Sequence, residues 1–240
     1  MSTQDPAIDR AFEASWPASE YLQAGAFRVG RGMGGGRRVS SARATAAEWQ
    51  DADIEATARI QRDWDQPAVF RVADSEPALA DALQARGYAD HTQTMMMSCA
   101  ISALTDRQVP PVTSFALWPP LAIQRDLWTE QGIGAARQTI MARVNLPKAA
   151  LLGRIRDRAA AVGFVAVADS IAVLHALEVL PAMRRQGLAS WTVREAAFWA
   201  QKHGASTMLL AVTAENAGAI ALYHGLGFSQ IASYRYFQQP

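Results

Sequence analysis

Apolar and polar positions along the chain divide it into short strand and helix signals. Residues 26–31 and 37–44 read as two short strands joined by the glycine-rich segment 32–36. Residues 48–64 have helical composition, 67–73 a strand pattern, and 76–85 a short helix that Gly87 ends. A strand follows over 94–100, where Met95, Met96 and Met97 suit a core-filling role. Further on, 123–144 predicts one helix despite Gly132 and Gly134. Two valine-bearing apolar runs, 159–168 and 172–179, are split by Asp169 and Ser170 and predict a hairpin. Residues 188–203 place Ala189, Val193, Ala196, Ala197 and Ala200 along one helical face and stop at Gly204. A strand over 207–213, a helix over 217–224 and a strand over 230–237 complete the chain. A hairpin followed by a β-α-β-α-β run predicts an α/β fold with crossovers, not a sandwich.

The proline-rich stretch 109–120 disfavours helix and interrupts any sheet ladder. It divides the chain into an N-terminal domain over 1–108, a linker over 109–120 and a C-terminal domain over 121–240. A faint repeat links the two. Residues 82–88 align with 222–228 at an offset of 140 residues, each a short helix, a glycine and an aromatic before a strand.

Composition narrows the function classes. With 50% hydrophobic residues and a formal net charge of +1 across 240 residues, the chain predicts a folded protein with a real core. The longest apolar run, 159–168, falls short of the roughly 20 residues a membrane-spanning helix needs. Residues 1–6 show no basic start or apolar stretch of a signal peptide, so the expected location is the cytoplasm. The lone Cys99 excludes an intrachain disulfide and a multi-cysteine zinc site, and no metal is expected. The 23 basic residues balance 22 acidic ones, which gives no pull toward nucleic acid or a membrane surface.

Two glycine-bearing segments suggest phosphate chemistry. Gly30-Arg-Gly32-Met-Gly-Gly35 matches a dinucleotide fingerprint, yet it leads into Arg37 and Arg38 and a strand-like run, so it reads as a hairpin tip. The segment 174–190 differs. An apolar strand ends at Val179, Pro181 breaks it, and a basic loop with Gly187 enters a helix near Leu188. A helix N-terminus offers unpaired amides and a positive dipole end to a phosphate. An ordinary strand-to-helix turn is the alternative. In the second segment, 210–228, Asn216 sits in a turn and Tyr223 seven residues on projects to about the same side of the helix. Alone, Asn216 reads as a helix cap and Tyr223 as a packing residue.

Together the two segments resemble the GNAT superfamily of acyl-CoA-dependent N-acetyltransferases. The loop signature R/Q-x-x-G-x-G/A is matched by Arg184, Gly187 and Ala189, and the preceding V-x-P by Val179 and Pro181. The later N-x-x-A-x-x-L-Y-x-x-x-G-F is matched by Asn216, Ala219, Leu222, Tyr223, Gly227 and Phe228. The resemblance covers 123–237. The N-terminal half resembles a worn GNAT copy, as in tandem members: it lacks the loop, and Leu83 stands at the place of Tyr223.

The resemblance implies a GNAT fold with a mixed central sheet in the C-terminal half and a degenerate GNAT-like N-terminal half. It implies direct attack of a primary amine on acetyl-CoA, the acyl-donor substrate, in one active site. The pyrophosphate is assigned to the backbone amides of Arg185, Gln186, Gly187, Leu188 and Ala189, with charge added by Arg184 and Arg185, and Ser190, Asn216, Ala219 and Tyr223 complete the acyl-CoA set. Pantetheine is assigned to the strand end from Leu177 to Val179, where a backbone amide faces the oxyanion. Tyr223 is implied as the acid that protonates the leaving thiolate. For the base, Leu174-His175-Ala176-Leu177 resembles the run of arylalkylamine-type members, which favours His175 over Glu178; a core histidine is the alternative. Their opposite strand parity lets only one face the cleft unless a bulge intervenes. A non-catalytic acyl-CoA sensor is the competing function. The oligomeric state is left as monomer or homodimer.

Overall fold

The helix over 188–202 shows how the sequence builds the framework. Val193, Ala196, Ala197 and Ala200 recur at helical spacing and are fully buried, with Met208, Leu210 and Val165 of the sheet in the same core. The computed structural model describes residues 5–91 and 93–239; Met1 to Gln4, on which the absence of a leader was read, lie outside them.

In chain order the elements are α1 (Pro6–Ala14), β1 (Glu20–Ala24), β2 (Phe27–Arg31), α2 (Arg37–Ser40), β3 (Ala42–Ala44), α3 (Asp51–Asp63), β4 (Val69–Ala73) and α4 (Pro77–Ala85). There follow β5 (Ala89–Asp90), β6 (Thr94–Ala100), α5 (Ile101–Leu104), β7 (Ser114–Leu117), α6 (Ala122–Glu130), α7 (Ala135–Arg143), β8 (Lys148–Ile155) and β9 (Arg158–Ala168). The chain closes with β10 (Ile171–Val179), a 3-10 turn at Pro181–Met183, α8 (Leu188–Lys202), β11 (Thr207–Thr213), α9 (Ala217–Gly225) and β12 (Ser229–Gln238). No helix among the described residues is long and apolar enough to cross a membrane.

The fold is α/β with one mixed sheet. Its strand order is β1-β2-β3-β4-β12-β6-β11-β10-β9-β8-β7, with β5 paired to β12. Only β3–β4 and β10–β11 run parallel among the pairs of the described residues. The order interlocks the two halves. β12 lies between β4 and β6, and β6 lies between β12 and β11, so each half lends its last long strand to the other. On one face, α1 covers the sheet centre, where Phe12 packs with Val173, Leu209 and Tyr234.

Several sequence expectations change. Residues 37–44 are not one strand. Gly36, at φ 91°, turns the chain into the single helical turn α2, which buries Val39, and only Ala42–Ala44 is extended. The helix expected over 123–144 breaks at Gly132, at φ 79°, into α6 and α7. The Gln138 side chain donates to the carbonyls of Arg125 and Ile133, satisfying groups the break releases. The proline-rich stretch, expected as a linker, holds the edge strand β7. Its prolines flank the strand, and an edge needs only one side of the ladder. The elements α1, β1 and β8 were not among the predicted ones, although Asp5 and Pro6 mark the start of α1. β8 lacks alternation because five successive residues of it are buried.

Candidate active site

The site begins where two parallel strands part. β10 and β11 pair from Ile171–Thr207 to Leu174–Leu210 and no further. On its other side β10 slips register against β9 between His175 and Glu178, and Ala176 takes φ 51° there. Such a bulge bends the strand and re-aims its side chains. The Trp128 indole of α6 donates to the Ala176 carbonyl at 3.0 Å and pins the bulge.

Beyond the parting lies a cleft of about 570 Å³. It is lined by Leu177, Glu178 and Val179 of β10, Arg184, Arg185 and Gly187 of the loop, Leu188, Ala189 and Ser190 of α8, and Asn216, Ala219 and Tyr223 of the α9 segment. Gln186 does not join them; it lines a neighbouring groove with Arg154 and Trp191. The loop is held locally: Arg184 Nε donates to the Val179 carbonyl at 2.9 Å. Arg185 and Gly187 both have left-handed φ, 61° and 81°. No side chain caps α8, and its first backbone bond runs from the Trp191 amide to the Gly187 carbonyl. The amides of Leu188, Ala189 and Ser190 precede that bond and, with the dipole, make an anion site. A Cβ on Gly187 would meet nothing nearer than Trp191 Nε1 at 4.0 Å, so the glycine borders open space.

Opposite the loop, the Asn216 side chain accepts from the Ala219 amide at 3.1 Å and caps α9. Tyr223, two turns on, is buried with its ring against Phe228. Burial, together with the negative charge of Glu178, pushes its hydroxyl up to about 12, so it carries its proton throughout the neutral range. Glu178 is half-buried, 3.9 Å from Arg184 Nη2. Burial raises its carboxyl above the ordinary range, while Arg184 and Arg137 pull it back.

His175 is absent from the cleft lining. It lies on the α1 side, buried between Trp16 and Phe164, whose ring centroids are 5.1 and 6.2 Å away. Arg38 Nη1 stands 2.9 Å from its Nδ1, and Ser15 Oγ stands 2.9 Å from its Nε2. Arginine only donates, so Nδ1 holds the lone pair and Nε2–H donates to Ser15. Ser15 in turn donates to the Phe12 carbonyl at 3.2 Å. Burial and the Arg38 charge hold this imidazole well below 6.5. Both nitrogens are committed, and the ring joins α1 to the sheet. The parity argument therefore ends with Glu178 at the cleft. Trp128 and Arg137 were missed; neither belongs to a local motif, and only the tertiary fold brings them to β10.

Residues 122–228 match the Acetyltransferase (GNAT) family. This region belongs to the GNAT family. Over the whole chain, the uncharacterized N-acetyltransferase YobR of Bacillus subtilis (strain 168) is 25% identical, across 95% of this chain and 96% of the relative. A GCN5-related N-acetyltransferase from Kribbella flavida shares the fold at a TM-score of 0.70 and 19% identity, covering 98% of this chain and 93% of its own. A tandem GNAT protein from the clavulanic acid biosynthesis pathway aligns at a TM-score of 0.59 and 14% identity, over 82% of this chain and 74% of its own. Membership makes the GNAT region an acyltransferase domain. It also fits the cleft, whose two walls are the two sequence segments with the GNAT pattern.

Proposed function

We propose that the chain transfers the acetyl group of acetyl-CoA to a primary amine by direct attack, in one site built by residues 121–240. The observation that carries this reading is the convergence of a bare helix N-terminus, a split strand end and a proton-bearing tyrosine in one cleft. The pyrophosphate lies on the amides of Gly187 to Ser190, with Arg185 beside it. The pantetheine runs along Leu177 to Val179 in the place of the strand pairing that β11 no longer supplies. A backbone amide there stabilises the oxyanion.

Two protons must move. An alkylamine with a pKa near ~10 arrives protonated and must lose one to become a nucleophile. Glu178 is the base in this reading, because it borders the cleft and His175 does not. The departing thiolate gains a proton from Tyr223. At about 12 the tyrosine is a weak acid, so its first contribution is a hydrogen bond to the developing charge. When Tyr223 does give up its proton, the tyrosinate regains one from the attacking nitrogen, which must shed a second proton as the amide forms. CoA then leaves as the thiol, and one net proton passes through Glu178 to solvent.

The N-terminal residues 1–108 act in this reading as a degenerate GNAT-like partner that binds no acetyl-CoA. Support comes from the strand order and from α4 and α9, which begin 140 residues apart at Pro77 and Ala217 and each precede a glycine of positive φ. The test is free-thiol release from acetyl-CoA across a panel of primary amines, with mass spectrometry of the product and calorimetry of acetyl-CoA binding. One site per chain and an acetylated amine support the proposal. Tight binding without turnover on any amine would leave a sensor, and no binding would overturn both.

A further inference from the structure

The sheet contains a second split. β3 and β4 pair in parallel only at Ala42 and Phe70 and then part, as β10 and β11 do beyond Leu174 and Leu210. In the strand order each parallel pair directly flanks the exchanged β12–β6 centre, and each is followed by one of the helices α4 and α9. The N-terminal split opens into a cleft of about 540 Å³ that shares no lining residue with the acyl-CoA cleft.

This cleft is not a phosphate site. Residues 45–50 contain no glycine, and α3 opens with Asp51 and Asp53, whose charge repels an anion from its N-terminus. Its wall carries a different pair of groups. Arg71 of β4 has a side chain only 17% exposed, and that side chain makes no hydrogen bond among the described residues. Its Nη2 stands 3.7 Å from Asp9 Oδ1, too far for a hydrogen bond, and that oxygen is buried with no hydrogen-bond partner. The neighbouring Arg43 is different, held by Glu13 through two bonds of 3.1 and 3.2 Å. Arg71 and Asp9 thus form a loose ion pair, with the guanidinium 5.5 Å from the Tyr234 ring centroid, and Asp9 Oδ1 still lacks a hydrogen bond. Buried acceptors of native proteins are almost always matched, so a loose ion pair with an unmatched acceptor at a cleft wall points to a ligand that hydrogen-bonds to both partners. Trp49 and Leu79 supply an apolar wall.

We propose that this cleft binds a free α-amino acid with a large apolar side chain. The carboxylate takes the planar donors of Arg71, the ammonium donates to Asp9, and the side chain lies against Trp49 and Leu79. A molecule whose opposite charges flank one carbon suits protein charges set 3.7 Å apart. The site is independent of the acetyl-transfer reading, since it uses none of the residues assigned there.

The test is calorimetry on the full chain without acetyl-CoA, using L-phenylalanine, 3-phenylpropanoate, which lacks the ammonium, and phenethylamine, which lacks the carboxylate. L-phenylalanine should bind at one site per chain, and each truncated probe should bind about ten-fold or more weaker, the cost of one lost charge-assisted hydrogen bond. Arg71→Gln and Asp9→Asn should each weaken L-phenylalanine by a similar factor, and saturating CoA should not displace it. Asp9→Asn should also narrow the gap between L-phenylalanine and 3-phenylpropanoate. If Arg71→Gln fails to fold, the probe series on the unmodified chain decides. Absence of L-phenylalanine binding, equal affinity for the truncated probes, displacement by CoA, or indifference to both folded variants would each overturn the proposal.

Discussion

Replacing His175 by glutamine separates a histidine that holds the fold from one that moves protons. In the folded chain the imidazole is neutral, since burial and the Arg38 charge keep it well below 6.5; in the unfolded chain it titrates near 6.5. A folded value below the unfolded one means that its stabilising contribution is complete above 6.5 and is lost as the pH falls beneath it. Going from about pH 7.5 to about pH 5.5, one proton binds the unfolded chain and none the folded one, which removes about 1.4 kcal/mol of unfolding free energy. Glutamine cannot titrate, so His175→Gln should lack that increment. At neutral pH it should already be less stable by about 1–3 kcal/mol, because Arg38 or Ser15 loses its partner. Urea unfolding at both pH values reads both effects, with Trp16 as a nearby fluorophore at 5.1 Å from the imidazole. Turnover at neutral pH should stay near normal in the folded variant, with its acid limb unmoved. Equal pH dependence of stability in the two proteins would refute the buried neutral imidazole. A turnover loss of about a hundred-fold or more in a fully folded variant would return His175 to the proton path.

Three further perturbations test the cleft itself. Tyr223→Phe keeps the packing on Phe228 and removes the proton donor; kcat should fall by about a hundred- to ten-thousand-fold while the acetyl-CoA Kd holds, and an unchanged chemical step would refute the acid role. Glu178→Gln should abolish the acid limb of kcat/KM, which in the unmodified chain should lie above the ordinary glutamate range. Arg137→Ala should move that limb to still higher pH, because Arg137 lowers the Glu178 value. Gly187→Val should leave the fold intact, since the nearest atom a Cβ there would meet is Trp191 Nε1 at 4.0 Å. It should cost about 1–2 kcal/mol in melting experiments for the left-handed φ of 81°, and acetyl-CoA affinity should drop in calorimetry because the side chain enters the phosphate space.

The two walls of the cleft were legible because each is local in sequence. A strand end, a glycine loop and a helix start lie within 177–190, a cap and a tyrosine within 216–223, and it is the resemblance of the two segments together that paired them. The base was not legible by the same route. His175 and Glu178 sit three residues apart on one strand, and choosing between them requires knowing that the strand bulges at Ala176 and that Arg38 and Ser15 claim the histidine. Those partners are 137 and 160 residues away in sequence. Local conformation misled in a different way at α2. Arg37 to Ser40 is too short to show a helical period, and the single turn exists because Gly36 takes φ 91° and Val39 must reach the core.

The strand exchange explains why a half without the phosphate loop stays joined to one that has it. The proline-rich stretch marks a change of sequence character, but it is not a seam in the sheet. β11 forms one wall of the acyl-CoA split and would present a bare edge without β6, which pairs with it from Thr94 to Ala100. β12, which directly follows the helix bearing Tyr223, is held on both sides by β4 and β6 of the N-terminal half. An unpaired edge of that length leaves a row of backbone donors and acceptors without partners and invites association. Residues 1–108 are therefore needed for the geometry of the cleft although none of them lines it. The sheet asks of them the strand β6 between β12 and β11 and the strand β4 beside β12, and it places no such demand on the split between β3 and β4, which pair only at Ala42 and Phe70.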